Sequence, residues 1–259
     1  QCQFNRELRT KAPLTRHIEA SGPGEAWVAD LLHFPEAQGD RYILVAVDAY
    51  SRWAEVQALE NAKAATVMDA LVDVVITNTA GQPKLIVTDQ GSEFKGVFAE
   101  ALKMMQVEHK YTAAHRAEGH GMVERYNRSL TLRMKSMVSQ KQTGWQKALK
   151  WAKLSHNNSV HSSLSMKGDG LTPAEVHLGR RLNLWCEAGL QSPSVEQGAR
   201  SPSQYVEDLE KHMAAMKEYV HQAREQYNTK MLRDANKARK KHREFKVGQL
   251  VRLKREVHG

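Results

Sequence analysis

Cysteine is nearly absent from this chain: its 259 residues hold two, Cys2 and Cys186. So sparse and distant a pair sets aside a disulfide framework and fits a reducing compartment. Long apolar runs are lacking too. None approaches the roughly 20 residues a membrane-spanning helix needs, and no secretory leader is visible. Acidic residues fall short of basic ones, 29 against 38, which leaves a formal net charge of +9 and an isoelectric point near 9.5. That imbalance favours a polyanionic partner, although charge alone is equally compatible with an ordinary basic protein. The apolar fraction, 41%, is that of a globular protein, and the length suffices for one substantial core with appendages. The chain starts and stops abruptly, which suggests a piece of something longer.

The stretch from Lys84 to Glu124 organises the rest. It opens KLIVTDQGSEF and closes HGMVE. Leu85-Ile86-Val87 is a short apolar run halted at Asp89 and Gly91, so a buried strand with a carboxylate at its carboxyl end is expected. Further on, Val123, Tyr126, Leu130, Met134 and Met137 recur at helical steps and form an expected buried stripe. Glu124 lies off that stripe, with Asn127 and Arg128, in an expected first helical turn. Upstream, AWVADLLHF sets Asp30 inside an apolar strand, where an acid is costly unless it binds something. Three carboxylates from three elements make a candidate cation site.

Taken in order, residues 1–24 have linker composition. Trp27–Phe34, Tyr42–Val47 and Trp53–Leu59 read as three strands of an antiparallel meander, the second apolar enough to be covered on both faces. Asp48 between them reads as a turn residue, and Asp73 and Glu93 as solvated. A helix through Ala64–Val75, the Asp89 strand, a helix over Phe94–Met105 and a strand over Val107–Tyr111 follow. The expected fold is α/β: a mixed five-stranded sheet flanked by helices. Thr112–Gly121 holds two glycines without periodicity and reads as a mobile loop. Its His115 and His120 have no further ligand at zinc spacing and read as solvated or substrate-contacting. A helix over 145–160, a loop and a proline-started turn come next, then a linker over 186–204.

Residues 205–244 read as one long helix. Tyr205, Leu209, Met213, Met216, Val220, Ala223, Tyr227 and Met231 give it a narrow packing stripe. Its basic end, Lys237, Arg239, Lys240, Lys241 and Arg243, suits phosphate contact or a solvated face. Phe245–Arg255 alternates apolar and basic residues as an edge or barrel strand does.

Three carboxylates in such a set suit a two-metal site. Oxygen-only ligation selects Mg²⁺ or Mn²⁺, and the natural substrate is a phosphodiester.

The motifs WVADLL, YILVAVDAYSRWAEV, LIVTDQGSEF, GMVERYNRSL and HSSLSMKGDGLTPAEVHLGR together resemble retroviral-type integrases, closest to those of gypsy-like long-terminal-repeat retrotransposons. The resemblance is close over Trp27–Arg181. It implies an RNase H-like catalytic core over 25–185, with Asp30, Asp89 and Glu124 as catalytic metal ligands for two Mg²⁺ or Mn²⁺ ions. It also implies 3′-end processing of element DNA and its joining to target DNA. Between Asp89 and Glu124 lie 34 residues, one fewer than is usual in the family. Cys2 looks like the last ligand of an amino-terminal zinc domain, with 1–24 its remnant, and 245–259 like the first strand of a carboxyl-terminal β-barrel. Asn127 and Arg128 match positions that approach the DNA end.

One departure is the loop before the glutamate. Relatives commonly carry tyrosine-histidine-proline-glutamine-serine-asparagine-glycine; here His115, Arg116 and His120 fall in a charged segment without proline. These three are expected DNA contacts, alongside the basic run at 237–243. The resemblance further implies a homo-oligomer acting on chromosomal DNA in the nucleus, made within a polyprotein, with a host chromatin factor as a possible partner. Two alternatives stand beside it: a domesticated DNA- or chromatin-binding protein without catalysis, and a related RNase H-like nuclease or transposase.

Overall fold

The computed structural model describes Ile18 and residues 20–79, 81–112, 117–137, 144–166, 169–182 and 202–237, without the side chains of 117–120, 202, 204–206, 208, 209 and 235. Arg16–Asn228 form one compact unit. Its framework is a five-stranded sheet in the order β3-β2-β1-β4-β5. Strands β1 (Ala26–Ala37), β2 (Asp40–Asp48) and β3 (Ala54–Leu59) form the antiparallel meander. The β1–β2 reversal takes two residues, Gln38 and Gly39, both at positive φ, as the tight turn that matches strand twist requires. Strands β4 (Leu85–Thr88) and β5 (Glu108–Tyr111) run parallel to β1, so each arrives by a helical crossover. Helix α1 (Ala64–Leu71) makes the first, continuing through widened turns over Val72–Thr77, where the Asn78 N–H donates to the Asp73 carbonyl five residues back. Helix α2 (Val97–Met104) makes the second.

The period-two alternation of β1 and β2 splits the core between the faces. Trp27, Ala29, Leu44 and Ala46 meet Ile86 and the helices of the crossovers, with Val67, Leu71, Phe94, Phe98 and Leu102. Val28, Ile43, Val45 and Val47 meet Val87 and the opposite helices, α3 (Ala117–Met137) and α4 (Trp145–Asn157). The continuous apolar run of β2 is thus covered on both sides, as expected. Beyond α4, a short hairpin, β6 (Ser165–Met166) with β7 (Asp169–Gly170), leads into α5 (Pro173–Leu178). A capping box starts α5: the Thr172 hydroxyl accepts from the Glu175 N–H, and the Glu175 carboxylate accepts from the Thr172 N–H. The long helix α6 (Pro202–Lys237) docks through Val220, Met216 and Tyr219 against Tyr50, Leu164 and Val176.

Several expectations need correction. The segment read as a loop up to Gly121 is helical from Ala117, so Glu124 lies two turns inside α3 and not in its first turn. Each glycine costs a helix about 1 kcal/mol, but extending a helix already docked by Val123 and Tyr126 requires no new nucleus. Met137 leaves the stripe and is 47% exposed, because the helix runs past the core there. Helix α6 begins three residues earlier than expected, at Pro202, since proline's missing N–H costs nothing in a first turn. Residues 238–244 of the expected helix, and the 245–259 strand, lie outside the described residues, as does Cys2.

Candidate active site

Residues Val28 of β1 and Val87 of β4 are register partners, and both face the cluster covered by α3. Two residues further along each chain stand Asp30, inside β1, and Asp89, just past the end of the adjacent parallel β4. Neighbouring strands lie about 4.8 Å apart, so two carboxylates here repel unless a cation comes between them.

Asp30 is half-buried opposite Val45 of β2. One of its oxygens accepts from the Leu31 N–H at 2.9 Å, and the other from the Asn127 side-chain amide at 2.8 Å. That second bond fastens α3 over the strand ends. Asp89, also half-buried, follows β4 directly and closes a turn by accepting from the Gly91 N–H at 2.9 Å. The Thr88 hydroxyl beside it donates to the Asp89 carbonyl and lies 2.9 Å from His109 Nε2. Burial pulls the His109 pKa down, so its ring adds no charge next to the acids.

Glu124 is exposed on α3, one turn before the buried Asn127. Residues three apart on a helix share a face, which sets Glu124 on the side that Asn127 turns to Asp30. Neither Asp89 nor Glu124 pairs with a basic side chain among the described residues. Among those residues, too, no three acid, histidine or cysteine side chains stand close enough together to hold a metal ion. The fold thus puts Asp30 and Asp89 on adjacent strands and Glu124 on the covering helix, without gathering the three into a closed cluster among the described residues.

Of the expected DNA contacts, Arg128 is exposed on α3, and Lys237 is exposed at the end of α6, paired with Asp234 at 3.0 Å. His120 lies within α3, its side chain outside the description; His115, Arg116, Arg239, Lys240, Lys241 and Arg243 lie outside the described residues altogether.

Residues 20–117 match the integrase core domain family. This segment is similar to the integrase cores of retroviral polyproteins. The matched part of the core contains Asp30 and Asp89, while Glu124 lies beyond it. Among its relatives are an uncharacterized protein of Caenorhabditis elegans, 28% identical over 70% of this chain and 14% of its own length, and the Gag-Pol polyprotein of baboon endogenous virus, 27% identical over 69% of this chain and 10% of its own. The chain thus spans about a seventh or less of these relatives, and the viral ones are polyproteins. The HTLV-2 integrase catalytic core domain, solved in complex with magnesium, shares the fold at a TM-score of 0.50 and 21% identity, over 62% of this chain and 99% of its own. A chain of the simian T-cell lymphotropic virus intasome, solved with the PP2A regulatory subunit B56 gamma, shares it at 0.57 and 20%, over 74% and 66%. The five-stranded sheet is accordingly the RNase H-like one expected from the sequence.

Sequence reasoning passed over the turn between β2 and β3. Asp48 is a turn residue as read, but it is completely buried: it accepts from the Gly24 N–H, the Ser51 N–H at 2.7 Å and the Ser51 hydroxyl at 2.5 Å. The Ser51 hydroxyl also lies 3.0 Å from His177 Nδ1, whose ring stacks on Trp53 at 5.2 Å. Next to it, Arg52 takes φ 65° and buries its side chain against Ser163. The signal was present as an acid three residues ahead of a serine, the pattern of a side chain folding back on its own turn.

Proposed function

We propose that this chain is the catalytic part of an integrase, a polynucleotidyl transferase that trims element DNA ends and joins them to target DNA. The observation that supports the reading is that Asp30 and Asp89 belong to adjacent parallel strands, and that Asn127 of α3, one turn from Glu124, bonds to Asp30. Hydroxyl-free, oxygen-only donors suit a hard divalent cation, and Asp30, Asp89 and Glu124 are the residues that would hold Mg²⁺ or Mn²⁺. When bound, such ions supply activation of the attacking oxygen and stabilisation of the leaving one.

The chain's own residues do the positioning. Asn127 holds one Asp30 oxygen and the Leu31 N–H the other, which fixes the carboxylate's orientation. The Gly91 N–H fixes Asp89 in the same way. In processing, water attacks a phosphodiester near the element end, the P–O bond to the departing nucleotides breaks, and a 3′-hydroxyl is left. In joining, that hydroxyl attacks a target phosphodiester and the displaced target strand leaves with its own 3′-hydroxyl.

The DNA follows the basic groups. Arg128, one helical step from Glu124, suits a phosphate near the reacting end, and His115, Arg116 and His120 sit in the segment just before it. Lys237 with Arg239, Lys240, Lys241 and Arg243 suits flanking phosphates. Element-end DNA, target DNA and further copies of this chain are the partners of this reading, in a nucleus, with a host chromatin factor as a further one. Residues 1–24 and 245–259 then flank the core as zinc-domain and barrel pieces, Cys2 being the zinc remnant.

A second reading, DNA binding without chemistry, draws on the observation that the three carboxylates are not gathered to shared ligand distance among the described residues. A branched DNA mimicking the joined product decides between them. Resolution of the branch with Mg²⁺ or Mn²⁺ by the parent, and its loss in Glu124→Gln, supports the transferase. Branch binding without resolution at any metal concentration sinks it in favour of the binder.

A further inference from the structure

Outside the carboxylates, His109 of β5 is a side chain that packing alone does not explain. It is the register partner of Ile86 on β4. Its ring lies 5.5 Å from that of the buried Phe98 and 4.4 Å from that of Tyr111, whose hydroxyl donates to the Phe94 carbonyl at 3.0 Å. An apolar residue would fill such a site, whereas an imidazole carries a cost of desolvation. That cost is visible at Nδ1, which is enclosed and has no hydrogen-bond partner among the described residues.

The other ring nitrogen shows what the histidine does. Nε2 lies 2.9 Å from the hydroxyl of Thr88, a residue with no exposed surface. That hydroxyl donates its one proton to the Asp89 carbonyl, also at 2.9 Å. Its oxygen can then only accept from the ring, which fixes the tautomer: Nε2 carries the proton and Nδ1 is the bare acceptor. The Thr88 carbonyl accepts in turn from the Thr112 N–H at 2.8 Å and the Thr112 hydroxyl at 3.2 Å. Ile86 packs on the α2 side of the sheet and Val87 on the α3 side, so by alternation Thr88 stands on the side of Ile86 and His109. The contact therefore runs from the face opposite α3 to the peptide that carries Asp89. Asp89 is held twice, at its carbonyl by Thr88 and at its carboxylate by the Gly91 N–H.

We propose that His109 is a positioning residue for Asp89: its Nε2–H, acting through the Thr88 hydroxyl, fixes the peptide that carries this carboxylate and so the direction in which the carboxylate meets a divalent cation. The inference rests on Asp89 holding such a cation, as in the proposed function, and extends that site to the strand beside it. A hydroxyl that accepts from the ring is polarised and donates more strongly to the Asp89 carbonyl. The unpaired Nδ1 is the cost of keeping a donor at Nε2.

The test uses the full chain and two readouts. Mn²⁺ binding without DNA is followed by the electron paramagnetic resonance of the free ion. Resolution of branched DNA, at saturating DNA, is followed over a Mg²⁺ series. For Thr88→Val and for His109→Leu we expect Mn²⁺ binding about tenfold weaker and the Mg²⁺ requirement raised by about the same factor, the loss typical of a partner that orients a metal ligand. DNA affinity stays at the parent's value. Thr88→Ser keeps the hydroxyl and His109→Gln keeps an N–H donor, so both recover most of the loss. The double variant, Thr88→Val with His109→Leu, binds Mn²⁺ no more weakly than Thr88→Val alone, because both changes break one path. Unchanged Mn²⁺ binding and Mg²⁺ requirement in Thr88→Val would reduce His109 to a packing residue and overturn the inference. So would losses that add in the double variant, which would make the two residues independent. If His109→Leu does not fold, Thr88→Val with its Thr88→Ser control still decides. A parent that binds Mn²⁺ but leaves the branch unresolved sinks the transferase reading, and the Mn²⁺ shifts alone then decide this inference. A parent that binds no Mn²⁺ sinks both.

Discussion

Three aspartates of the sheet, Asp48 on one side and Asp30 and Asp89 on the other, are treated in opposite ways. At the end of β2, Asp48 is enclosed and its oxygens accept from the Gly24 and Ser51 N–H groups and the Ser51 hydroxyl. Its charge is spent on holding its own turn. Inside β1 and just past β4, Asp30 and Asp89 are half-exposed; Asp30 accepts from the Leu31 N–H and the Asn127 amide, and Asp89 from the Gly91 N–H. An acid saturated by nearby donors stabilises the fold, whereas two acids left facing each other at a strand end repel, a cost that a ligand can relieve. The chemistry of a carboxylate is thus read from what already occupies its lone pairs.

The sharpest way to break the comparison is Glu124→Gln. Because Glu124 is exposed, we expect the melting temperature to hold while DNA joining drops about a thousandfold, the several kcal/mol that metal-held charge stabilisation contributes. Asp48→Ala should do the reverse. It leaves three buried donors without an acceptor, so urea denaturation should show a loss of about 3 kcal/mol, while DNA affinity of the folded fraction stays at the parent's value.

Acid should attack the turn region before the strand ends. His156, whose Nε2 lies 3.0 Å from the Arg52 carbonyl, is lowered to about 4, first by burial, and His161 to about 3 by burial and then Arg52. Both have folded pKa values below the unfolded 6.5, so the unfolded chain binds more protons between. Stability is fully present above 6.5 and falls as pH drops towards 4 and 3, with a slope approaching 1.4 kcal/mol per unit for each histidine, roughly. Chemical denaturation across that range measures it, and His156→Gln should flatten the slope; an unaltered slope would refute the assignment.

Asn127→Ala should release one Asp30 oxygen and reduce joining about tenfold, as loss of a partner that orients a ligand does, with little change in DNA affinity. The smallest effect is expected of Thr172→Ala, which removes the cap of α5, far from either acid: about 1 kcal/mol in stability, and none in joining, by the same two assays.

Much of this arrangement was legible in the chain. The apolar runs around Asp30 and before Asp89 are local patterns, and the meander follows from their short connections. The stripe Val123, Tyr126, Leu130 and Met134 declared its buried face correctly. Met137 did not, because periodicity cannot say where the partner surface ends. Gly119 and Gly121 argued for a loop, yet α3 extends back through both, since docking of the later turns outweighs a local preference worth about 1 kcal/mol apiece.

What the sequence by itself determined was the set of elements, the face each buries and the acid-bearing strand ends, because burial periodicity and turn chemistry act within a few residues. Tertiary structure alone decided that Asp30 and Asp89 belong to adjacent strands, that Asn127 bonds to Asp30, and that Asp48 is enclosed by donors. It also brought Arg224 of α6 over the Tyr50 ring, far away in the chain. Strand pairing and helix docking are properties of packing between distant segments, and no local pattern carries them.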